Sequence, residues 1–222
     1  MYWTKYIYYF FYLGINWNFR LAWFIVSREI SGEKKYGLRC TGVDDLTSSV
    51  SENDREHASI YQPLNFFTAE KLFDQLTEED LKGTFLDVGC GKGRILSMAA
   101  AYGFKEIIGI DFSAKLCHQA VTNADDIELK HPDSSIVISC EDARIYDIPP
   151  EVTVLFLFNP FDGLVMLDFI HQLQESLRKK PRALKILYAN PQCKKQLLDK
   201  GFSEIFHFKK MEYLQGSVLV NH

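Results

Sequence analysis

The chain contains no Cys-x-x-Cys pair. Its five cysteines, Cys40, Cys90, Cys117, Cys140 and Cys193, are odd in number and widely spaced. That pattern indicates neither a zinc knuckle nor a disulfide framework. Reduced thiols in a cytoplasmic protein are the simplest reading. The six histidines show no metal-ligand spacing, so no metal is expected. Positive charge is also short, with 25 Lys and Arg against 29 Asp and Glu and a pI near 5.9. A dedicated nucleic-acid binder carries a basic footprint that this balance does not supply. Ten Lys and Arg do gather in residues 178–210. The alternation of elements divides them between two ends of the fold, so they read as a solvated face.

Long uninterrupted apolar runs are scarce as well. The nearest is residues 1–26, MYWTKYIYYFFYLGINWNFRLAWFIV, which hold 12 of the 31 aromatic residues and all three Trp. A membrane span needs ~20 apolar residues, but Asn16, Asn18 and Arg20 interrupt this one. No small-x-small site follows, which argues against a signal peptide. Three roles stay open for this aromatic extension: packing or self-association, contact with a membrane surface, or spanning. Residues 27–60 are polar and rich in Gly, Ser and Asp, and read as a linker or lid. A single domain over residues 61–222 is expected to follow.

Within it, strands and helices alternate. In TAEKLFDQL, Ala69, Leu72, Phe73 and Leu76 have helical spacing with Thr68 as a candidate N-cap. TFLDV (84–88), EIIGID (106–111), SIVISC (135–140), VTVLFLF (152–158) and RALKILYA (182–189) read as strands. Helices are expected near 93–102, 113–127, 164–177 and 193–200. EIFHF (204–208) and GSVLV (216–220) are too close together for a helical crossover. The pattern predicts an α/β fold, a Rossmann-like seven-stranded, mostly parallel sheet. Helices cover both faces, and a C-terminal antiparallel hairpin closes one edge.

The strongest local signal is FLDVGCGKGR (85–94). Gly89, Gly91 and Gly93 lie between a strand and a helix. The dinucleotide pattern G-x-G-x-x-G requires a third glycine at position 94, where Arg94 stands instead. The G-x-G-x-G loop preceded by Asp87 resembles the first motif of class I S-adenosylmethionine-dependent methyltransferases. Missing side chains at Gly89 and Gly91 let the backbone approach a ligand. The helix N-terminus behind the loop favours a carboxylate. A tight turn without a ligand is the alternative.

The resemblance spans about residues 61–221 and implies further roles. Asp87 would hold the loop and reach the ligand ammonium. Asp111, ending the second strand, would bind the ribose hydroxyls, and Phe112 would pack on the adenine. Asp142, or Glu141 in its place, would accept from the adenine amino group, and the Ala143 N–H would meet the ring. Tyr61-Gln62-Pro63, Asn159-Pro160 and Tyr188-Ala189-Asn190-Pro191 resemble small bacterial members loosely related to Dot1-type protein lysine methyltransferases. Tyr61 would close over the cofactor, or is simply a core aromatic. Asn190 caps a helix on this reading.

NPFD (159–162) follows the fourth strand. Methyltransferases acting on planar nitrogens carry Asn or Asp, two prolines and an aromatic residue there. This chain lacks the second proline, so planar-amine chemistry is not implied. Asn159 is the candidate to orient an acceptor beside the methyl donor. Asp162 is a candidate base or amine anchor, or the N-cap of the next helix. The expected activity is methyl transfer from S-adenosyl-L-methionine to a protein side chain or a small molecule. The rivals are a non-catalytic S-adenosylmethionine-binding regulator and an NAD-dependent oxidoreductase.

Overall fold

A computed structural model describes residues 3–38, 63–158 and 163–221. Seven strands form one sheet in the order β3-β2-β1-β4-β5-β7-β6. They are β1 (Thr84–Val88), β2 (Glu106–Asp111), β3 (Ser135–Cys140), β4 (Val152–Phe158), β5 (Lys185–Ala189), β6 (Phe202–Lys210) and β7 (Leu214–Asn221). The first five pair in parallel, and β7 runs antiparallel to both β5 and β6. This is the expected Rossmann-like sheet with its terminal hairpin. Reversal of strand order between β1 and β4 opens a crevice at the carboxyl ends of the strands.

Strand periodicity divides the core. In β1 and β4, Phe85, Val154 and Phe156 pack on one face, with Phe73 and Leu96. Leu86, Val88, Leu155 and Leu157 pack on the other, with Phe169 and Ile170. The first face takes α3 (Phe66–Phe73), α4 (Arg94–Tyr102) and α5 (Ala114–Lys130); the second takes α6 (Gly163–Lys179) and α7 (Lys194–Leu198). Both faces of β4 are therefore buried, which explains its continuous apolar run.

The N-terminal region departs from expectation. Trp3–Asn16 forms α1 and Phe19–Tyr36 forms α2. Residues 27–36, expected as linker or lid, are instead the second half of α2. Asn18 caps α2 by accepting from the Leu21 N–H at 2.8 Å, and Gly37 ends it at φ 73°. The local polarity that suggested a linker is split between an exposed face, Ser27, Arg28, Ser31, Lys34 and Lys35, and two buried acids, Glu29 and Glu33. Its other face is buried: Leu21, Ala22 and Ile25 pack with Tyr9 and Leu13 of α1 and with Phe67 and Leu214 of the main domain. Among the described residues no helix is long and apolar enough to cross a membrane. Residues 39–60 of the expected linker lie outside the described residues except as sequence.

Two expected caps fall elsewhere. Asn65, not Thr68, caps α3, accepting from the Thr68 N–H at 2.9 Å. Ser113 precedes α5 but makes no side-chain cap bond. Asn190 does not cap α7; it sits in the left-handed region at φ 48° and accepts from the Gln215 side chain. By contrast, Thr77 and Asp80 bond reciprocally ahead of the short 3-10 turn Asp80–Lys82.

Candidate cofactor site

The loop between β1 and α4 is built by its glycines. Gly89, Gly91 and Gly93 have φ of 78°, 56° and 86°, the left-handed region that side chains resist. Three successive loop amides are then clipped to the end of β2. Gly89 and Cys90 donate to the Ile110 carbonyl at 2.8 and 2.9 Å. Gly91 donates to Asp111 Oδ2 at 2.9 Å. Asn123 of α5 holds the loop from behind through the Lys92 carbonyl at 2.8 Å.

Asp111 therefore has a structural duty besides any ligand. Its Oδ1 also accepts from the Ser113 N–H at 2.9 Å. The neighbouring Phe112 ring is about half exposed, an unusual state for phenylalanine. Glu141 follows β3 and donates its N–H to the Asp111 carbonyl at 3.0 Å, so the ends of β2 and β3 are joined. Asp142 comes next. Its carboxylate pairs with Arg144 and also accepts from the Arg144 N–H at 2.9 Å. That pairing holds the Asp142 carboxyl below the usual carboxylate range. Ala143 is buried.

Asp87 is fully buried, and its Oδ2 has no hydrogen-bond partner. Burial pushes its carboxyl well above the usual carboxylate range, and the nearby Asp111 charge adds to this. Burial raises Asp111 too, against the lowering effect of its backbone donors. Two buried carboxyls side by side, one with an open oxygen, call for a cationic or hydrogen-donating ligand. S-adenosylmethionine carries a cationic ammonium and hydrogen-donating ribose hydroxyls, and these fit two carboxyl acceptors.

Arg94 answers the question its position raised. It opens α4 but turns away from the crevice. Its guanidinium pairs with Glu29 of α2 at 2.8 Å, with side chains 4% and 2% exposed. It also donates to the Leu64 carbonyl at 2.6 Å and lies 4.2 Å over the Phe66 ring. Glu29 accepts from the Phe66 N–H in turn. Sequence reasoning noticed Arg94 only as a failed glycine and missed Glu29. A lone acid in an amphipathic helix carries no signal of its partner 65 residues on.

The structure thus brings Asp87, Gly89, Gly91, Gly93, Asp111 and Phe112 to one end of the sheet, with Asp142 and Ala143 beside them. Tyr61, Asn159 and Asp162 lie outside the described residues. Among the described residues, no group of three or more His, Cys, Asp or Glu side chains could hold a metal ion.

A Rossmann-like sheet with this loop defines the class I methyltransferase fold. Residues 85–186, from β1 to β5, match the family described as a methyltransferase domain. The match covers just under half of the chain, and over that stretch the chain carries a methyltransferase domain. No curated protein matches it in sequence. Among solved structures, it is similar to magnesium protoporphyrin IX methyltransferase from Synechocystis PCC 6803, crystallised with the cofactor bound. Identity is 18%, coverage is 73% of this chain and 86% of that one, and the TM-score is 0.55. It is also similar to a ribosomal protein L11 methylase from Lactobacillus delbrueckii (16%, 70% and 78%, 0.51). A [4+2]-cyclase shares the fold as well (18%, 66% and 61%, 0.52). At these identities the likeness is one of fold alone, so the acceptor must be argued from the chain itself.

Proposed function

We propose that the protein transfers the methyl group of S-adenosylmethionine to a nucleophile on a protein side chain, with a small-molecule acceptor as the second reading. The observation that supports cofactor binding here is the paired burial of Asp87 and Asp111 beneath a loop of three left-handed glycines. Bound there, the cofactor supplies an already activated methyl group. The residues are left to bind, orient and exclude water. Asp87 would take the ammonium, and Asp111 and Phe112 the ribose and adenine. Asp142 is assigned to the adenine amino group, which requires its carboxylate to share itself with Arg144. Ala143 would offer its N–H to the ring.

For the acceptor side, β4 ends at Phe158, beside β1 and β5. The next residue, Asn159, follows the strand that adjoins the loop strand, and is assigned to orient the acceptor nucleophile. Asp162 is assigned as base or amine anchor. Tyr61 would close the cofactor from the other side. The choice of a protein acceptor rests on the polar sequence of residues 39–60 ahead of the methyltransferase domain.

The test is a sensitive assay for S-adenosylhomocysteine release with peptide, protein-extract and metabolite panels. Release with proteins but not metabolites supports the first reading, and the converse the second. Tight cofactor binding with no product from any panel would favour a regulatory S-adenosylmethionine-binding protein. Calorimetry showing binding of NAD in place of S-adenosylmethionine would refute the cofactor assignment.

A further inference from the structure

The N-terminal hairpin buries one side and leaves the other apolar. On α1 the exposed residues Trp3, Ile7, Phe11 and Ile15 follow one another at intervals of four, which places them on a single helical face. All three tryptophans of the protein lie here, Trp3 68%, Trp17 39% and Trp23 71% exposed. A contiguous exposed surface of this kind marks a binding site.

Charge selects the occupant. Residues 3–28 contain Lys5, Arg20 and Arg28 and no Asp or Glu. The two acids of α2 are both buried, Glu29 against Arg94 and Glu33 against Lys5 and Tyr6. Exposed charge on α2 is therefore cationic. Arg20, Trp23, Ser27 and Lys34 share one exposed face at helical spacing. Beside it, the Phe24 ring lies between the cations of Arg28, at 5.6 Å, and Lys210, at 4.5 Å. A second copy docked face to face would set these cations against their own counterparts, which repel. An anionic lipid surface complements them.

We propose that the α1–α2 hairpin docks the protein on the surface of an anionic membrane, with its aromatic face among the headgroups. Length agrees with surface contact rather than spanning. The 14 residues of α1 extend roughly 20 Å against a hydrocarbon core of about 30 Å. Trp and Tyr prefer the interfacial zone, and an amphipathic helix with a cationic rim lies in its plane.

Because every tryptophan is on the hairpin, intrinsic emission reports binding directly. The full chain is titrated with phosphatidylcholine vesicles, with and without phosphatidylglycerol, and followed by emission and by co-sedimentation. The expected result is a blue shift and sedimentation with the anionic vesicles, reversed by salt. Arg20→Gln and Lys34→Gln should each weaken partitioning about fivefold. Phe11→Ser with Ile15→Ser should abolish it while the far-ultraviolet circular dichroism stays unchanged. These sites are exposed, so the fold does not depend on them. No shift with either vesicle overturns the proposal, as does equal binding to neutral vesicles that the charge variants leave untouched. A blue shift that grows with protein concentration without lipid, with a doubled mass in light scattering, also overturns it in favour of self-association.

Discussion

Replacing Arg94 with Leu removes one partner of a pair that is almost wholly buried. Glu29 would be left without its cation in a buried site between α2, α3 and α4. Deleting one member of such a pair costs about 3–5 kcal/mol, because the remaining charge is left without compensation. The Leu64 carbonyl also loses its 2.6 Å donor, and an unsatisfied buried carbonyl costs about 1–3 kcal/mol. The two losses share one side chain and do not simply add. For a chain of this size each kcal/mol moves the melting temperature by ~2–4 °C. Arg94→Leu should therefore lower it by roughly 6–20 °C, measured by circular dichroism. The double variant Glu29→Met with Arg94→Leu should regain much of that loss, since an apolar replacement of both partners is often neutral. It will not regain all of it, because Glu29 also accepts from the Phe66 N–H. A loss below ~2 °C for Arg94→Leu, or strictly additive single losses in the cycle, would refute the idea that α2 is clamped to the cofactor loop.

Three further outcomes test the site. The native Asp87 and Asp111 carboxyls are both raised by burial. The folded protein therefore binds protons more tightly than the unfolded chain, and stability should fall as pH rises from the ordinary carboxylate range through the raised native values. Asp87→Asn should flatten that decline and raise the melting temperature of the ligand-free protein near neutral pH, yet shrink the stabilisation given by S-adenosylhomocysteine; a steeper decline would contradict this. Asp111→Ala removes the acceptor for the Gly91 and Ser113 amides, so it should destabilise the protein by about 1.5–3 kcal/mol in urea unfolding and weaken cofactor binding in calorimetry, and unchanged affinity would remove Asp111 from the site. Asn159→Ala should cut turnover at least tenfold with little change in cofactor affinity, roughly the effect of losing one positioning group, and intact turnover would end its assignment to the acceptor.

Much of the catalytic domain could be read before folding because its signals are local. β1 ends at Val88 and β2 at Asp111 as their patterns indicate, since Gly89 and Ser113 mark the breaks within one or two residues. The edge hairpin followed from a length too short for a crossover. The misread parts are those where distant contacts decide. Residues 27–36 look like a linker on polarity alone. They are helical because Glu29, Gly32 and Glu33 face inward at helical spacing, and two of these three are acids. Such acids enter a core only when partners exist, and those partners, Lys5, Tyr6 and Arg94, come from elsewhere in the chain. The Thr68 cap failed for a related reason. Asn65 lies three residues earlier, ahead of two phenylalanines whose burial against α2 and the domain extends α3 backwards.

The same long-range pair changes the meaning of the cofactor loop. Asp87, the glycines and Asp111 were legible because each stands at the end of a strand, and their contacts with one another span only a short backbone clip. Arg94 was legible only as a departure from the dinucleotide pattern. In the folded protein that departure connects the loop's helix to α2, and α2 carries Trp23 and Arg20 on its opposite face. The side chain at position 94 reaches α2, while Leu96 of the same helix packs on the sheet. The hairpin and the helix that follows the glycine loop therefore meet across a buried ion pair, and Ser97 of α4 adds a hydrogen bond to the Tyr36 carbonyl at 2.9 Å. An element that contacts a membrane through one face of α2 would hold the cofactor crevice at a fixed attitude to that membrane through the other.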